Sequence, residues 1–246
     1  LYEAIKKTGL YDEKLKMYKV NDNIMDETKE IGRQNIFPRG WLENEAVFLH
    51  MEYKYFLELL RSGLYDEFFQ CIKEALIPFL DAEVYGRSIL ENSSFIASTV
   101  HPDSKIHGTG FVSRLTGASA EFLNMWLIMT CGKEPFILNE SGELCIKLSP
   151  VIPEWLFTKE PSGTTIYRAM KTYDIELPAN TFAFNFLGSI LTVYHNPQRK
   201  NTYGEGRAEI QRIEMHEKGK VTTINGNIVP MPYAERIREG LVERLD

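Results

Sequence analysis

The chain has few cysteines, no strongly basic segment and no long apolar run. Its three cysteines, Cys71, Cys131 and Cys145, are an odd number, and no two are spaced as Cys-x-x-Cys. This pattern argues against a disulfide framework or a zinc site and favours a reducing compartment, so we expect a cytoplasmic protein. Since no stretch of 18 apolar residues occurs, the sequence offers no candidate for a membrane-spanning helix.

The charge balance narrows the classes of partner. The formal net charge is −6 and the pI is about 5.5, so neither nucleic acid nor an anionic membrane surface is an expected partner. With 246 residues, 43% of them hydrophobic, the chain can bury one or two cores. Because it begins and ends within amphipathic patterns, we expect it to be a piece of a longer protein.

Hydrophobic periodicity predicts helices in the first part of the chain, at residues 1–19, 43–61, 65–77 and 117–131. Gly63 is a predicted helix end, and Pro78 is expected to end the following helix. The polar segments 21–42 and 80–113 are predicted to be long loops, and such loops often carry functional groups.

From about residue 142 the apolar period changes to two. The alternating residues are Leu144, Ile146, Leu148, Phe182, Phe184 and Phe186. Asn225-Gly226 follows another alternating segment and predicts a hairpin turn. Helices followed by strands indicate the α+β class, with a helical domain at 1–140 and a β-rich domain at 141–246.

Two polar segments of the helical part could form a binding site. Glu43 and His50 lie seven residues apart, a spacing that would bring them to nearly the same face of a helix. Thr116 and Gly117 open a predicted helix, whose free N–H groups favour an anion. The alternative interpretation is a solvated glutamate, a structural histidine and an ordinary helix cap.

A third segment combines Tyr85, Arg87 and Glu91 in a predicted loop. Sugar sites use an aromatic face for the ring and charged groups for the hydroxyls. Phe37 and Trp41 lie in or beside the other long loop, so we expect Phe37, Trp41 and Tyr85 to line a cleft. The alternative is a polar loop with a single structural ion pair.

Four segments between residues 36 and 157 share their order and approximate spacing with the motifs of one enzyme family. They are Glu43-Asn44-Glu45 before an apolar run and His50, Tyr85-Gly86-Arg87 with Glu91, Thr116-Gly117-Ala118-Ser119 before a helix that stops at Gly132, and Pro150-Val151-Ile152-Pro153-Glu154-Trp155. In these segments the chain resembles the C-terminal portion of the inverting glycoside phosphorylases of the cellobiose and chitobiose phosphorylase type.

The resemblance implies a fold and a set of site residues. The fold would be the C-terminal half of an (α/α)6 helical barrel, followed by a β-rich domain of jelly-roll or sandwich type. His50, Thr116 and Gly117 would bind the attacking phosphate. The expected substrate-binding residues are Trp41, Glu43, Tyr85, Arg87 and Glu91.

The implied reaction is inverting phosphorolysis of a β-linked gluco- or aminogluco-oligosaccharide to an α-sugar-1-phosphate. Phosphate is then a substrate, and no metal or organic cofactor is expected. The family's general acid is an aspartate in an Asp-Trp-Asn-Asp segment, which this sequence does not contain. We therefore expect the acid upstream of Leu1 and the chain alone to be inactive. A homodimer is possible.

The sequence departs from the family motifs at Glu45, which replaces a glycine, and at Glu121, which replaces a tryptophan. Because a carboxylate repels a phosphate dianion, we expect both side chains to point away from the phosphate. An inverting hydrolase on the same barrel is an alternative, with Glu45, Glu91 or Glu121 as the base, roughly 6.5–9.5 Å from the acid. A non-catalytic carbohydrate-binding protein is another.

Overall fold

The computed structural model describes residues 1–112, 117–168 and 170–246, which form two compact units, Leu1–Met125 and Trp126–Asp246. Helices dominate the first unit and strands the second, so the predicted α+β class is confirmed. Within the described residues, no helix has the length and apolar character needed to cross a bilayer.

The helices of the first unit are α1 (Tyr2–Ile5), α2 (Leu49–Arg61), α3 (Tyr65–Ala75), α4 (Ala82–Tyr85) and α5 (Gly117–Cys131), and α5 continues into the second unit. Apolar faces of α2 and α3 are buried, as the periodicity predicts. Gly63 adopts a φ of +79° just after α2, which suits a helix end, and Pro78 follows α3 in a 3-10 turn. The bounds of α5 match the predicted helix.

Two of the predicted helices are only partly correct: the first is helical only near its start, and the second begins later than predicted. Between residues 1 and 19, only α1 is helical; β1 (Tyr11–Asp12) and β2 (Met17–Tyr18) then form a hairpin. The Asp12 carboxylate stabilises that turn by accepting hydrogen bonds from the backbone N–H groups of Lys14 and Leu15, both at 3.2 Å.

The helix predicted over 43–61 begins six residues later, at Leu49. Glu45 has a φ of +56°, a left-handed conformation that a right-handed helix cannot include. The chain then forms β3 (Val47–Phe48), which joins β4 (Phe95–Ile96) and β5 (Gly110–Phe111) in an antiparallel sheet of order β3-β4-β5. This small sheet sets the position at which α2 starts.

The second unit contains ten strands and the short helix α6 (Tyr233–Arg238) among its described residues. The strands are β6 (Phe136–Leu138), β7 (Leu144–Lys147), β8 (Ser162–Arg168), β9 (Lys171–Leu177), β10 (Thr181–Phe186), β11 (Ile190–His195), β12 (Arg212–Glu217), β13 (Lys220–Asn225), β14 (Ile228–Val229) and β15 (Arg244–Leu245). They form a five-stranded sheet of order β10-β11-β15-β12-β13, a three-stranded sheet of order β14-β7-β6 and the β8–β9 ribbon. In the five-stranded sheet, β15 is parallel to β11 and antiparallel to β12.

The core of the second unit contains the alternating residues that the sequence singles out. Phe182, Phe184 and Phe186 of β10 are buried in one cluster with Ile146, which confirms the predicted strands. Cys131, at the end of α5, belongs to the same cluster. The compact unit therefore begins within α5, whereas the predicted boundary at residue 140 lies in the turn between β6 and β7.

The hairpin predicted at Asn225-Gly226 is wrong. Gly226 has a φ of +80°, as a tight turn requires, but the strands on its two sides belong to different sheets. β13 pairs with β12, whereas β14 pairs with β7. The dipeptide therefore turns the chain from one sheet into the other.

Asp246 joins the three central strands of the five-stranded sheet through its side chain. Its Oδ1 lies 2.9 Å from His195 Nε2 and 2.6 Å from Arg244 Nη2, and its Oδ2 lies 3.0 Å from His216 Nε2. Burial raises the pKa of the Asp246 carboxyl, but the hydrogen bonds from His195 and Arg244 outweigh it and hold the pKa at about 2. The Asp246 carboxylate is therefore charged in the folded protein near neutral pH.

Candidate functional site

His50 lies in the first turn of α2, directly after β3. The backbone N–H of Leu49 donates to the carbonyl of Ser94 at 3.0 Å, so the β3–β4 sheet fixes the point from which His50 projects. The imidazole is 30% exposed. It therefore has access to solvent while its backbone is held by a sheet.

Gly117 places the first turn of α5 against the His50 ring. A Cβ atom at position 117 would lie 2.4 Å from His50 Nδ1, which is closer than van der Waals contact allows. Only a glycine permits this approach, so the two residues carried over from the phosphorylase motifs meet in space. Thr116, the third expected phosphate ligand, lies outside the described residues.

Glu121 lies one turn further along α5, and its Oε1 is 3.4 Å from His50 Nε2. We expected Glu121 to point away from the phosphate pocket, but its carboxylate faces the imidazole that was expected to line that pocket. The reason is helical geometry, because residues four apart share a helix face and Gly117 already faces His50. The ring thus has a helix start beside one nitrogen and a carboxylate beside the other.

Asn92 and Ser119 connect the elements around this site, and neither residue was among the predicted site residues. Asn92 Nδ2 donates to Ser119 Oγ at 3.1 Å, and Asn92 Oδ1 accepts from the Tyr53 hydroxyl at 3.2 Å. These bonds link the loop before β4 to both α2 and α5. The position of Asn92 beside Glu91 in a polar loop is the sequence feature that could have indicated its role.

Glu45 is buried and held by two cations. Its Oε1 lies 2.9 Å from Lys19 Nζ and 3.0 Å from Arg39 Nη2, and Arg39 Nε also donates to Oε2. Burial raises the pKa of the Glu45 carboxyl, but hydrogen bonds from Arg39 and Lys19 outweigh it and bring the pKa below its usual value. With a side chain only 1% exposed, Glu45 is a structural anion and a poor candidate for a water-activating base.

Glu43 and Trp41 belong to the loop that precedes α2. Glu43 forms a 2.6 Å ion pair with Arg33 and is not part of α2, so the predicted helical relation between Glu43 and His50 is wrong. The half-buried Trp41 ring stacks on Phe111 with a centroid distance of 3.6 Å. Both side chains remain partly accessible, and one face of the indole is already covered.

Tyr85 is fully buried, which corrects the expectation that it lines a cleft. Its hydroxyl donates to the Glu91 carbonyl at 2.8 Å and accepts from the Ser93 backbone N–H at 2.7 Å. The apolar ring and the satisfied hydroxyl make it a core residue. Arg87 and Glu91 form an ion pair with each other.

Glu52 is a buried carboxyl that no sequence motif marks as a site residue. It lies on α2 two residues after His50 and accepts a hydrogen bond from the Tyr18 backbone N–H at 2.8 Å. Its Oε2 has no hydrogen-bond partner among the described residues. Burial raises the pKa of Glu52 to about 8, only partly offset by the hydrogen bond from Tyr18. No group of three acidic, histidine or cysteine residues suited to a metal occurs in the described ranges.

Replacing Gly117 with alanine should displace the His50 ring. The added methyl group would overlap the imidazole, and relieving such overpacking costs about 1–3 kcal/mol. We expect a lower free energy of unfolding and a changed chemical shift of the His50 ring protons in NMR spectra. Gly163→Ala is a matched control, because nothing lies within 4 Å of a Cβ at that position. An unshifted His50 ring in Gly117→Ala would contradict the described contact.

A scan against protein-family models found no match to this chain, and a search of curated proteins found none either.

Proposed function

We propose that the chain is part of a carbohydrate-active enzyme that phosphorolyses a β-linked gluco-oligosaccharide with inversion. The observation that carries this proposal is the close approach of His50 to the start of α5 at Gly117. Two residues far apart in sequence meet where the resemblance implies a phosphate site. In the complete protein, the proposed architecture is an (α/α)6 barrel followed by a β-rich domain of jelly-roll or sandwich type.

The chemistry of an anion site supports phosphate as the attacking group. The first-turn N–H groups of α5 have no partners within the helix and point toward its N-terminus, where the helix dipole favours negative charge. The imidazole adds a further donor. Phosphate held there would attack the anomeric carbon, while an aspartic acid outside these residues protonates the leaving oxygen. A single displacement of this kind inverts the anomeric centre.

Glu121 sets a condition on this proposal. Its Oε1 lies 3.4 Å from His50 Nε2, so an anion that also binds this nitrogen would meet the carboxylate. Two like charges at hydrogen-bond distance repel, so phosphate must displace the carboxylate or share a proton with it. Glu121 should therefore weaken phosphate binding relative to a neutral residue at the same position.

Inverting hydrolysis is the second candidate function, and the same contact between His50 and Glu121 favours it. An inverting hydrolase needs a carboxylate base that activates water. Glu121 is partly exposed and is held beside an imidazole that can orient a water molecule. In this case Glu121 is the base and phosphate has no role.

Two variants distinguish the candidates when the full-length gene product is assayed on β-linked glucobioses with and without phosphate. For a phosphorylase, we expect phosphate-dependent turnover. His50→Ala should raise the KM for phosphate about tenfold or more without a comparable change for the sugar. Glu121→Gln should lower the KM for phosphate, because the repelling charge is removed. Glu58→Gln, an exposed glutamate on α2, is the matched control.

For a hydrolase, turnover should not require phosphate, and Glu121→Gln should lower kcat by about 10²-fold or more. Turnover that neither variant changes would remove both residues from the site. An absence of turnover under either condition would refute both enzymatic functions for these substrates.

A further inference from the structure

The second unit has a groove of its own, bounded by the β12–β13 hairpin and α6, with a volume of about 370 Å³. Sites for small organic ligands have volumes of about 300–1,000 Å³. The groove is therefore large enough for a small molecule, and a single inorganic anion would leave much of it empty. Its residues are separate from His50 and Glu121 and have no part in the function proposed above.

The strand register explains why the groove is polar above an apolar floor. Met215 pairs with Thr222 and Glu217 pairs with Lys220, so these four side chains share one face of the hairpin. Met215 is buried in the core, whereas Glu217 and Lys220 lie beyond the edge of that core. The same face thus changes from hydrophobic to charged within two residues.

The charges in the groove do not balance. Arg236 of α6 donates through both Nε and Nη2 to the Glu217 carboxylate, which neutralises both groups and lowers the pKa of Glu217. Lys218 and Lys220 also line the groove, and their charges help to lower the pKa of Glu217, but neither lies within ion-pair distance of an acidic group among the described residues. Two exposed ammonium groups therefore remain available to an anionic ligand.

The opposite wall offers a surface for a ring. Tyr233 and Pro232 line the groove from the α6 side, and Tyr233 is half-buried, so its aromatic ring is fixed but accessible. Aromatic side chains commonly contact the apolar face of a sugar, while carboxylates and hydroxyls bind its hydroxyl groups. Thr222 also lines the groove, and its hydroxyl is suited to the second task.

We infer that this groove binds a phosphorylated monosaccharide. The phosphate dianion contacts Lys218 and Lys220, and the sugar ring lies against Tyr233. The pairing of Glu217 with Arg236 holds the hairpin and α6 at a fixed separation. Neither a neutral sugar nor inorganic phosphate alone satisfies both the two cations and the aromatic wall.

The test is residue-resolved NMR titration of the 246-residue chain with glucose 6-phosphate, glucose and inorganic phosphate in separate arms. We expect saturable shifts of the Lys218, Lys220 and Tyr233 amides with glucose 6-phosphate, and weaker binding in the other two arms. Following these amides separates the groove from the His50 site. The outcome of this titration therefore does not depend on whether the proposed phosphorolysis is correct.

Variants make the test specific. Lys218→Gln/Lys220→Gln should weaken glucose 6-phosphate binding about tenfold or more, because charge-assisted hydrogen bonds are lost. Tyr233→Leu should weaken it while preserving apolar volume, provided that its thermal midpoint is unchanged. Lys147→Gln/Lys159→Gln, two exposed lysines of the same unit, is the matched control and should bind normally.

Three outcomes would overturn the inference. The first is no saturable shift at the groove with glucose 6-phosphate. The second is equal affinity for inorganic phosphate or for glucose, which would show a simple anion site or a neutral-sugar site instead. The third is unchanged affinity in the double lysine variant.

Discussion

Replacing Glu52 with glutamine should raise the free energy of unfolding of the first unit by about 5 kcal/mol above pH 8. Burial raises the pKa of Glu52 from its usual 4.5 to about 8. Below about pH 4.5 the carboxyl is protonated in both the folded and unfolded states, so its ionisation does not change the free energy of unfolding. As the pH rises toward 8, the unfolded chain releases the proton and the folded chain keeps it, so folding becomes less favourable. Because glutamine does not ionise, the variant does not lose stability in this way as the pH rises.

Urea unfolding followed by helical circular dichroism at pH 5, 7 and 9 measures the effect. The parent chain should lose stability across this range, and Glu52→Gln should lose much less. The glutamine carbonyl can still accept the hydrogen bond from the Tyr18 N–H, so the contact is preserved. Glu58→Gln, on the exposed face of the same helix, should keep the parent's pH dependence. A Glu52→Gln protein with the parent's slope would show that the carboxyl is not buried as described.

Replacing Glu45 with glutamine should destabilise the first unit by about 3–5 kcal/mol, because it removes one partner of a buried ion cluster. The side chain of Lys19 is only 6% exposed, and its ammonium loses the charge that compensates it. Arg39 loses the acceptor for its guanidinium at the same time. The protein would have to hold a buried cation without a counter-ion or expose it to water.

The control for this prediction is Glu43→Gln, two residues away in the same loop. Its ion pair with Arg33 is largely exposed, and such pairs contribute about 0–1 kcal/mol. The free energies of unfolding of both variants would be compared by chemical denaturation at neutral pH. Equal effects of the two substitutions would refute the structural role of the buried cluster.

The departure of Glu45 from the motif glycine has a physical explanation in this structure. Its φ of +56° is a conformation that glycine adopts readily and other residues rarely do. The ion pairs with Lys19 and Arg39 offset the cost of placing a side chain there. The sequence shows the substitution, but the partners that compensate it lie 26 and 6 residues away and cannot be read from local pattern.

Local patterns predicted the elements whose partners are other apolar side chains. The alternation of Phe182, Phe184 and Phe186 predicted β10, and the period of α5 gave its bounds, because burial of one face determines both. The patterns failed where a polar group determines the backbone. Asp12 turns a helix-like segment into a hairpin, and Glu45 delays the start of α2.

The candidate site was predicted in part. The order of the motifs predicted that His50 and Gly117 belong to one site, and the two residues do lie in contact. The position of Glu121 could also have been deduced, since it is one turn from Gly117 on a helix whose bounds were predicted. The burial of Tyr85 could not have been deduced, because nothing in its sequence neighbourhood distinguishes a buried tyrosine with a satisfied hydroxyl from an exposed one.

The central position of β15 has a consequence for the order of folding. β10–β11 and β12–β13 are local hairpins that can form early, but they join into one sheet through the later segment 243–246. Until that late segment arrives, the inner edges of β11 and β12 have unpaired backbone groups, which is the usual template for pairing with another chain. Chains that lack β15 should therefore associate through these two edges, and β15 should protect the folded unit against such association.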